Sequence, residues 1–159
     1  MTGKPLTEIL DEITDHCRNM DAPLTERLQA FADDLKIASP EFAGVIERMV
    51  VKLKESGVGA DAPALGEVMP EFLPPDQHGK LVSLESLLKT GPVAIAFHRG
   101  HWCPYCRISA AALAEVSDDI EKLGAELVVI TPELRRFTAE LRADAKARFP
   151  ILSDIDNGY

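Results

Sequence analysis

Two short apolar runs, each followed by a helical pattern, constrain the fold of this chain more than any other feature. Residues 92–97 read PVAIAF and residues 127–130 read LVVI, which is typical of strands that are buried on both faces. A helix is expected from about Cys103, a second one over residues 132–147, and a third strand over residues 149–152. The inner side of the first helix is expected to carry Leu113, Val116, Ile120 and Leu123. Strand, helix, strand and helix in this order predict an α/β fold with a mainly parallel sheet.

The first 56 residues predict a helical extension in front of that sheet. Three amphipathic segments are separated by the break at residues 21–23 and by Ser39-Pro40, which reads as an N-cap followed by a first-turn proline. Their apolar stripes are Leu6, Ile9, Leu10, Ile13 and Cys17; Leu28, Phe31, Ala32 and Leu35; and Phe42, Val45, Ile46, Met49, Val50 and Leu53. Such stripes need a surface to cover, on the following domain or on a second subunit, so a homodimer is one arrangement that they allow. We therefore divide the chain into an extension, residues 1–56, and a domain, residues 57–159.

The segment between the helices and the first strand is rich in proline and turn residues. Residues 57–63 read as a linker, and residues 64–82 contain three prolines and a turn at 77–80, which predicts extended edge structure. Ser83 is expected to cap a short helix.

Charge and the N-terminus limit the classes of function. The chain carries 26 acidic and 17 basic residues, for a net charge of -9, which argues against nucleic-acid binding. No window resembles a membrane-spanning run. The N-terminal MTGKPLTEILDEITDHC has acidic residues where a secretory signal has its apolar stretch, so we expect a cytoplasmic protein whose thiols stay reduced.

The motif that carries chemistry is the run HRGHWCPYCR at residues 98–107. It lies where a strand ends and a helix begins, which is where catalytic groups of open α/β sheets collect. A cysteine at a helix N-terminus faces free N–H groups and the positive end of the dipole, and Arg99 and Arg107 favour the thiolate further. Two intervening residues allow Cys103 and Cys106 to form a disulfide. The motif therefore predicts thiol redox chemistry on these two residues.

Two other interpretations of the same run remain open. The cysteines could be buried and unreactive, or His98, His101, Cys103 and Cys106 could hold zinc or an iron-sulfur cluster. Zinc sites usually take their second pair of ligands from a distant segment, so we expect no metal. No glycine-rich phosphate loop is visible either, and we expect no cofactor. Cys17, on the first apolar stripe, is expected to be a core residue.

A set of segments resembles the peroxiredoxin-like branch of the alkyl hydroperoxide reductase/thiol-specific antioxidant (AhpC/TSA) family, in the thioredoxin-like superfamily. The segments are GVGADAP, HGKLVSLESLL, GPVAIAFHRGHWCPYC, LGAELVVITPE and FPILSD, and the resemblance runs from about Leu6 to the last residue. It implies a thioredoxin-like fold and a thiol peroxidase that reduces hydrogen peroxide or small organic hydroperoxides. In such an enzyme Cys103 would become a sulfenic acid, Cys106 would condense with it, and thioredoxin or glutathione would restore both thiols.

The resemblance leaves the roles of the two cysteines open. Typical family members carry P-x-x-x-T-x-x-C, and if their cysteine is placed on Cys106, Cys103 takes the threonine position and Arg99 the proline position. In the thioredoxin register, Cys103 attacks and Cys106 resolves. We expect Cys103 to be the nucleophile, because the first cysteine of such a motif usually has the more exposed sulfur. Arg99 is expected to stabilise the thiolate and the leaving oxygen, and Trp102, His98 and His101 to line the substrate site.

Two further expectations follow from the resemblance. Loss of the peroxide-binding threonine keeps a thiol-disulfide reductase open as the alternative function. A thioredoxin-like domain continues with a β-hairpin, a final helix and a cis-proline loop, so we expect the domain to be incomplete at its C-terminus, with an exposed sheet edge. Besides the reductase and the metal-binding interpretation, a third alternative is an inactive fragment whose helices serve only for association.

Overall fold

A computed structural model describes residues 3–158 of the chain. The elements in chain order are α1 (Leu6–Arg18), α2 (Leu24–Ala38), α3 (Pro40–Glu55), α4 (Leu84–Leu88), β1 (Val93–Phe97), α5 (Pro104–Lys122), β2 (Glu126–Thr131), α6 (Arg135–Asp144) and β3 (Ile151–Ser153). The three strands form one parallel sheet in the order β1-β2-β3, with α5 and α6 as the crossover helices. The predicted α/β order is confirmed.

The central strand β2 explains why the sheet needs a cover on both faces. Its residues alternate between two apolar clusters, because successive side chains of a strand point to opposite faces. Leu127 and Val129 pack with α5 and α6 on one face. Val128 and Ile130 pack on the other face with Phe72 and with residues around α4. The segment before β1 therefore closes the second face of the sheet.

The three N-terminal helices form as predicted; α1 and α2 pack on α5, and α3 packs on α2. Phe31 and Leu35 of α2, Cys17 of α1 and Ile108 of α5 form a third apolar cluster. Cys17 is fully buried in it, which confirms its expected place in a core. Arg27 of α2 is also buried and donates two hydrogen bonds to the Glu115 carboxylate of α5, at 2.8 and 2.7 Å. The division of the chain at residue 57 stays a prediction.

Local capping confirms two of the predicted helix starts. The Ser39 hydroxyl accepts a hydrogen bond from Phe42 N at 3.4 Å, with Pro40 as the first residue of α3. The Ser83 hydroxyl accepts one from Ser86 N at 3.0 Å and caps α4. The extended structure predicted for residues 64–82 reduces to one antiparallel bridge, between Pro75 and Leu81.

Three expectations about burial and boundaries are wrong. Strand β1 is not buried on both faces, since Phe97 is 55% exposed; β1 lies at the edge of the described sheet, and an apolar run does not specify strand order. Val116 and Leu123 of α5 are 46% and 84% exposed, because Ala110 and Ala111 form the buried side of the helix. Helix α6 begins three residues after Pro132, since Leu134 is extended and takes the N-cap position. Within residues 3–158, none of the helices is both long enough and apolar enough to cross a membrane.

Candidate active site

The loop between β1 and α5 and the start of α5 place the HRGHWCPYCR motif of residues 98–107 at the carboxyl end of the sheet. His98 N donates to Ile130 O at 2.9 Å, which extends the strand pairing by one residue. The chain then turns at Gly100, whose φ of 127° is one that side chains rarely adopt. Cys103 N donates to Gly100 O at 3.2 Å, and Cys103 takes the N-cap position of α5, directly before Pro104. Both cysteines therefore lie at a helix N-terminus, as the motif predicts.

Glu133, which the sequence did not single out, holds this loop in place. Its carboxylate accepts a hydrogen bond from His101 N at 2.7 Å. It also packs so closely on Gly100 that a Cβ there would overlap the carboxyl group. The available signal was positional: Glu133 follows β2, and the carboxyl ends of β1 and β2 meet at the same edge of a parallel sheet.

Arg99 contacts both cysteine sulfurs. Its Nη2 donates to Cys103 Sγ at 3.0 Å, and its backbone N donates to Cys106 Sγ at 3.2 Å. Trp102 Nε1 donates to Arg99 O at 3.0 Å, and the guanidinium lies 5.3 Å from the centre of the Trp102 ring. Arg99 and Trp102 thus form a cover of one cation and one aromatic ring beside the sulfurs.

These contacts separate the pKa values of the two thiols. The Cys106 thiol donates to the Cys103 sulfur and lowers the pKa of Cys103 to about 6; burial opposes this effect, while the Cys106 backbone N–H and Arg99 add to it. The same thiol-thiolate contact, together with burial, raises the pKa of Cys106 far above its ordinary value. The arrangement therefore holds a thiolate on Cys103 and a thiol on Cys106 near neutral pH.

The expectation that Cys103 has the more exposed sulfur is wrong. Cys103 is fully buried, whereas Cys106 is 7% exposed. The Arg99 guanidinium donates to the Cys103 sulfur, and Trp102, which is 65% exposed, lies beside Arg99. Relative exposure therefore gives no reason to prefer Cys103 as the nucleophile. The lowered pKa of Cys103 and the raised pKa of Cys106 do give one.

The two histidines of the motif contact different partners, and neither partner is a cysteine sulfur. His98 Nε2 is 3.3 Å from Ser109 Oγ, and burial lowers the pKa of this imidazole. His101 lies between the carboxylates of Glu140, at 3.5 Å, and Asp144, at 3.7 Å. The described residues bring no three His, Cys, Asp or Glu side chains together as a potential metal site, so the four ligands of the alternative metal interpretation do not assemble.

Asp144, at the end of α6, joins three helices around the first turn of α5. Its carboxylate accepts from Arg107 Nε at 2.8 Å and from Arg18 Nη1. Burial acts to raise the pKa of Asp144, but these two guanidinium groups hold it below its ordinary value. Arg107 also donates to Asp11 Oδ1 of α1 at 2.8 Å. The helix turn that carries Cys106 is therefore tied to α1 and α6 by ion pairs.

A cavity of about 450 Å³ opens at the carboxyl ends of the strands, beside the cover of Arg99 and Trp102. His98, Thr131 and Glu133 also line it, and His101 is not among its lining residues. The Thr131 hydroxyl is buried and has no hydrogen-bond partner in the described structure. This cavity is large enough for a small polar molecule to approach Arg99.

Comparisons with known proteins agree with this geometry. The model of the AhpC/TSA family matches residues 65–159. The chloroplastic peroxiredoxin Q of Oryza sativa subsp. japonica is 33% identical over 92 residues, which are 58% of this chain and 42% of the rice protein. The crystal structure of peroxidoxin BcpB from Mycobacterium tuberculosis superposes with a TM-score of 0.56 at 27% identity, over 58% of this chain and 60% of that one. A peroxiredoxin Q from Xanthomonas campestris shares the fold at 18% identity, with a TM-score of 0.51 over 55% of each chain. The thioredoxin-like fold predicted from the sequence is confirmed, and the chain spans less than half of the rice relative.

Proposed function

The chain belongs to the AhpC/TSA family, and on that premise we propose that it is a thiol peroxidase that reduces hydrogen peroxide or an organic hydroperoxide. The observation that carries the proposal is the guanidinium of Arg99 at 3.0 Å from Cys103 Sγ. A cation in this position stabilises both the attacking thiolate and the negative charge that develops on the leaving oxygen. The peroxiredoxins among the similar proteins support the same assignment.

The proposed reaction has two steps on this pair of cysteines. The Cys103 thiolate attacks the outer peroxide oxygen; an S–O bond forms, the O–O bond breaks, and the other oxygen leaves as water or an alcohol after taking a proton. The sulfur is oxidised to a sulfenic acid, and the peroxide is reduced. The Cys106 sulfur then attacks Cys103, gives up its proton, and releases water as the disulfide forms. The raised pKa of Cys106 keeps it protonated, and therefore unreactive, until Cys103 has been oxidised.

The cavity at the carboxyl ends of the strands is the proposed path for hydrogen peroxide. Because Cys103 is buried, the side chains of Arg99 and Trp102, which line this cavity, must move before a peroxide in it can contact the sulfur. We assign Trp102 and His98 to the rim of this path. His101 faces Glu140 and Asp144 instead, so its expected part in substrate binding has no support from its position.

The disulfide needs an external reductant in this proposal. Thioredoxin or glutathione would restore both thiols by exchange through a mixed disulfide. The cytoplasmic location and the homodimer remain predictions of the same kind.

A thiol-disulfide reductase is the second candidate, and the separation of the two pKa values favours it equally. A reactive first cysteine at the N-cap and a protonated second cysteine one turn later also suit the reduction of a disulfide. The two functions differ in whether the Cys103 thiolate first attacks the O–O bond of a peroxide or the S–S bond of a disulfide.

Stopped-flow oxidation of the reduced protein separates the two functions. We expect hydrogen peroxide to produce a Cys103-Cys106 disulfide much faster than it oxidises free cysteine, with mass spectrometry identifying the product. Cys106→Ser should still react with peroxide and accumulate a sulfenic acid on Cys103, and Cys103→Ser should lose the reaction. A reaction no faster than that of free cysteine, beside fast reduction of an aromatic disulfide, would establish the reductase instead.

A further inference from the structure

A second cavity, of about 390 Å³, lies between the N-terminal helices and the cover of Arg99 and Trp102. Its lining includes Leu10 of α1, Phe31 and Leu35 of α2 and four residues of α3. The helices that build it precede residues 65–159, which are the part matched by the family. This cavity is therefore an addition of the N-terminal helices to the region around the cysteines.

The lining of this cavity fits an apolar ligand with one polar end. Side chains of α1, α2 and α3 supply most of the wall, and its volume lies within the range of about 300–1,000 Å³ that is usual for small-molecule sites. Asp11 and Arg107, which also line it, are paired with each other at 2.8 Å and leave little charge for a ligand. Arg99 is the polar group that lies at the sulfur end, 3.0 Å from Cys103 Sγ.

The outer part of the cavity leaves apolar side chains in contact with water. Phe42, Val45 and Met49 of α3 are 37%, 48% and 38% exposed. Burying apolar surface contributes about 0.8 kcal/mol per CH₂ group, which is an affinity gain of roughly fourfold for each methylene. A hydrocarbon chain in the cavity would cover these three side chains and bring its head group to Arg99.

We propose that this cavity binds the hydrocarbon chain of an alkyl hydroperoxide, and that the helices of the extension make the enzyme prefer long-chain peroxides over hydrogen peroxide. This inference rests on the proposed peroxidase function. With n-octyl hydroperoxide, Cys103 takes the outer oxygen as a sulfenic acid, the O–O bond breaks, and the octyl oxygen takes a proton from water and leaves as n-octanol. The chain stays in the cavity while the peroxide group reacts.

The first test is a series of unbranched alkyl hydroperoxides from ethyl to octyl, compared with hydrogen peroxide by stopped flow. The rate constant should rise by up to about fourfold per methylene until the cavity is full. Val45→Glu and Met49→Glu should lower the ratio of the octyl to the hydrogen peroxide rate at least tenfold. Val51→Glu is the matched control, because Val51 is 52% exposed on the same helix and does not line the cavity; its ratio should equal that of the wild type.

The second test measures binding without the reaction. Trp102 is the only tryptophan of the sequence and lines the cavity, so its fluorescence reports occupancy. Titration of the reduced protein with n-octanol should give a saturable change that Val45→Glu weakens and Val51→Glu does not. If no peroxide reacts faster than with free cysteine but n-octanol binds in this way, the peroxidase function fails and the alkyl-chain site stands. Fast reaction with hydrogen peroxide, without chain-length dependence or n-octanol binding, overturns the inference alone.

Discussion

Replacing Arg99 by glutamine tests the electrostatic basis of the candidate site. Arg99 Nη2 donates a charge-assisted hydrogen bond to Cys103 Sγ at 3.0 Å, and such a bond contributes about 1.5–3 kcal/mol. At about 1.36 kcal/mol for each pKa unit, Arg99→Gln should raise the pKa of Cys103 from about 6 to between about 7 and 8. The thiolate fraction at pH 7 would fall from about nine-tenths to between about one half and one tenth. Peroxide reactivity should fall at least as far, because the leaving oxygen also loses its cation.

The pKa is measured from the ultraviolet absorbance of the thiolate as a function of pH in proteins that retain Cys106, because the Cys106 thiol itself lowers the pKa of Cys103. Arg136→Gln removes an exposed guanidinium from α6, away from the sulfurs, and serves as the control with an unchanged titration. In Arg99→Lys the pKa of Cys103 should lie between its values in the wild type and in Arg99→Gln, because lysine keeps the charge and loses the planar donor. An Arg99→Gln protein whose Cys103 still titrates near pH 6 would refute the reasoning and assign the low pKa to the helix N-terminus and Cys106.

Three further outcomes are expected. Because folding lowers the pKa of Cys103, the thiolate stabilises the reduced protein at high pH. The difference in unfolding free energy between wild type and Cys103→Ser, followed by urea unfolding, should grow by about 2–4 kcal/mol between pH 6 and 9 and stay constant below pH 6. Gly100→Ala should lower the free energy of unfolding by about 3 kcal/mol or more, because the backbone φ is 127° and the new Cβ would overlap Glu133. The double variant with Glu133→Ala should recover part of that loss. Strict additivity of the two substitutions in the double-mutant cycle would count against the contact. Asp144→Asn should destabilise the protein by about 2 kcal/mol at pH 7. Because the folded-state pKa of Asp144 is depressed, this difference should shrink as the pH falls through that pKa, and a difference that stays constant would show that the Arg107 ion pair is not its source.

Local sequence signals predicted the elements well, because each signal is carried by neighbouring residues. The caps at Ser39 and Ser83 and the position of Pro104 in the first turn of α5 were all visible in the sequence. The same holds for the two redox-type cysteines at a helix N-terminus, since strand, loop and helix follow one another directly along the chain.

Features that depend on distant contacts were not predictable in this way. The edge position of β1 depends on strand order, which an apolar run does not encode. The burial of Cys103 depends on how Arg99 folds back over the sulfur, and the loop that allows it depends on Glu133, which lies 32 residues beyond His101 in the sequence. The apparent metal motif failed for the same reason: sequence spacing brings four ligands near each other, and the contacts of His98 and His101 direct their rings elsewhere.

The position of α5 between two apolar clusters has a consequence for how the molecule opens. Ala110 packs against the sheet and α6, while Ile108 packs against the N-terminal helices. The backbone amides of α5 should therefore be among the last to exchange with deuterated water, since both clusters must separate to release them. Helix α3 packs on α2 and retains a half-exposed apolar side, so its amides should exchange through a smaller, local opening. The wall of the second cavity would then loosen many times while the helix that begins at the reactive cysteines stays closed.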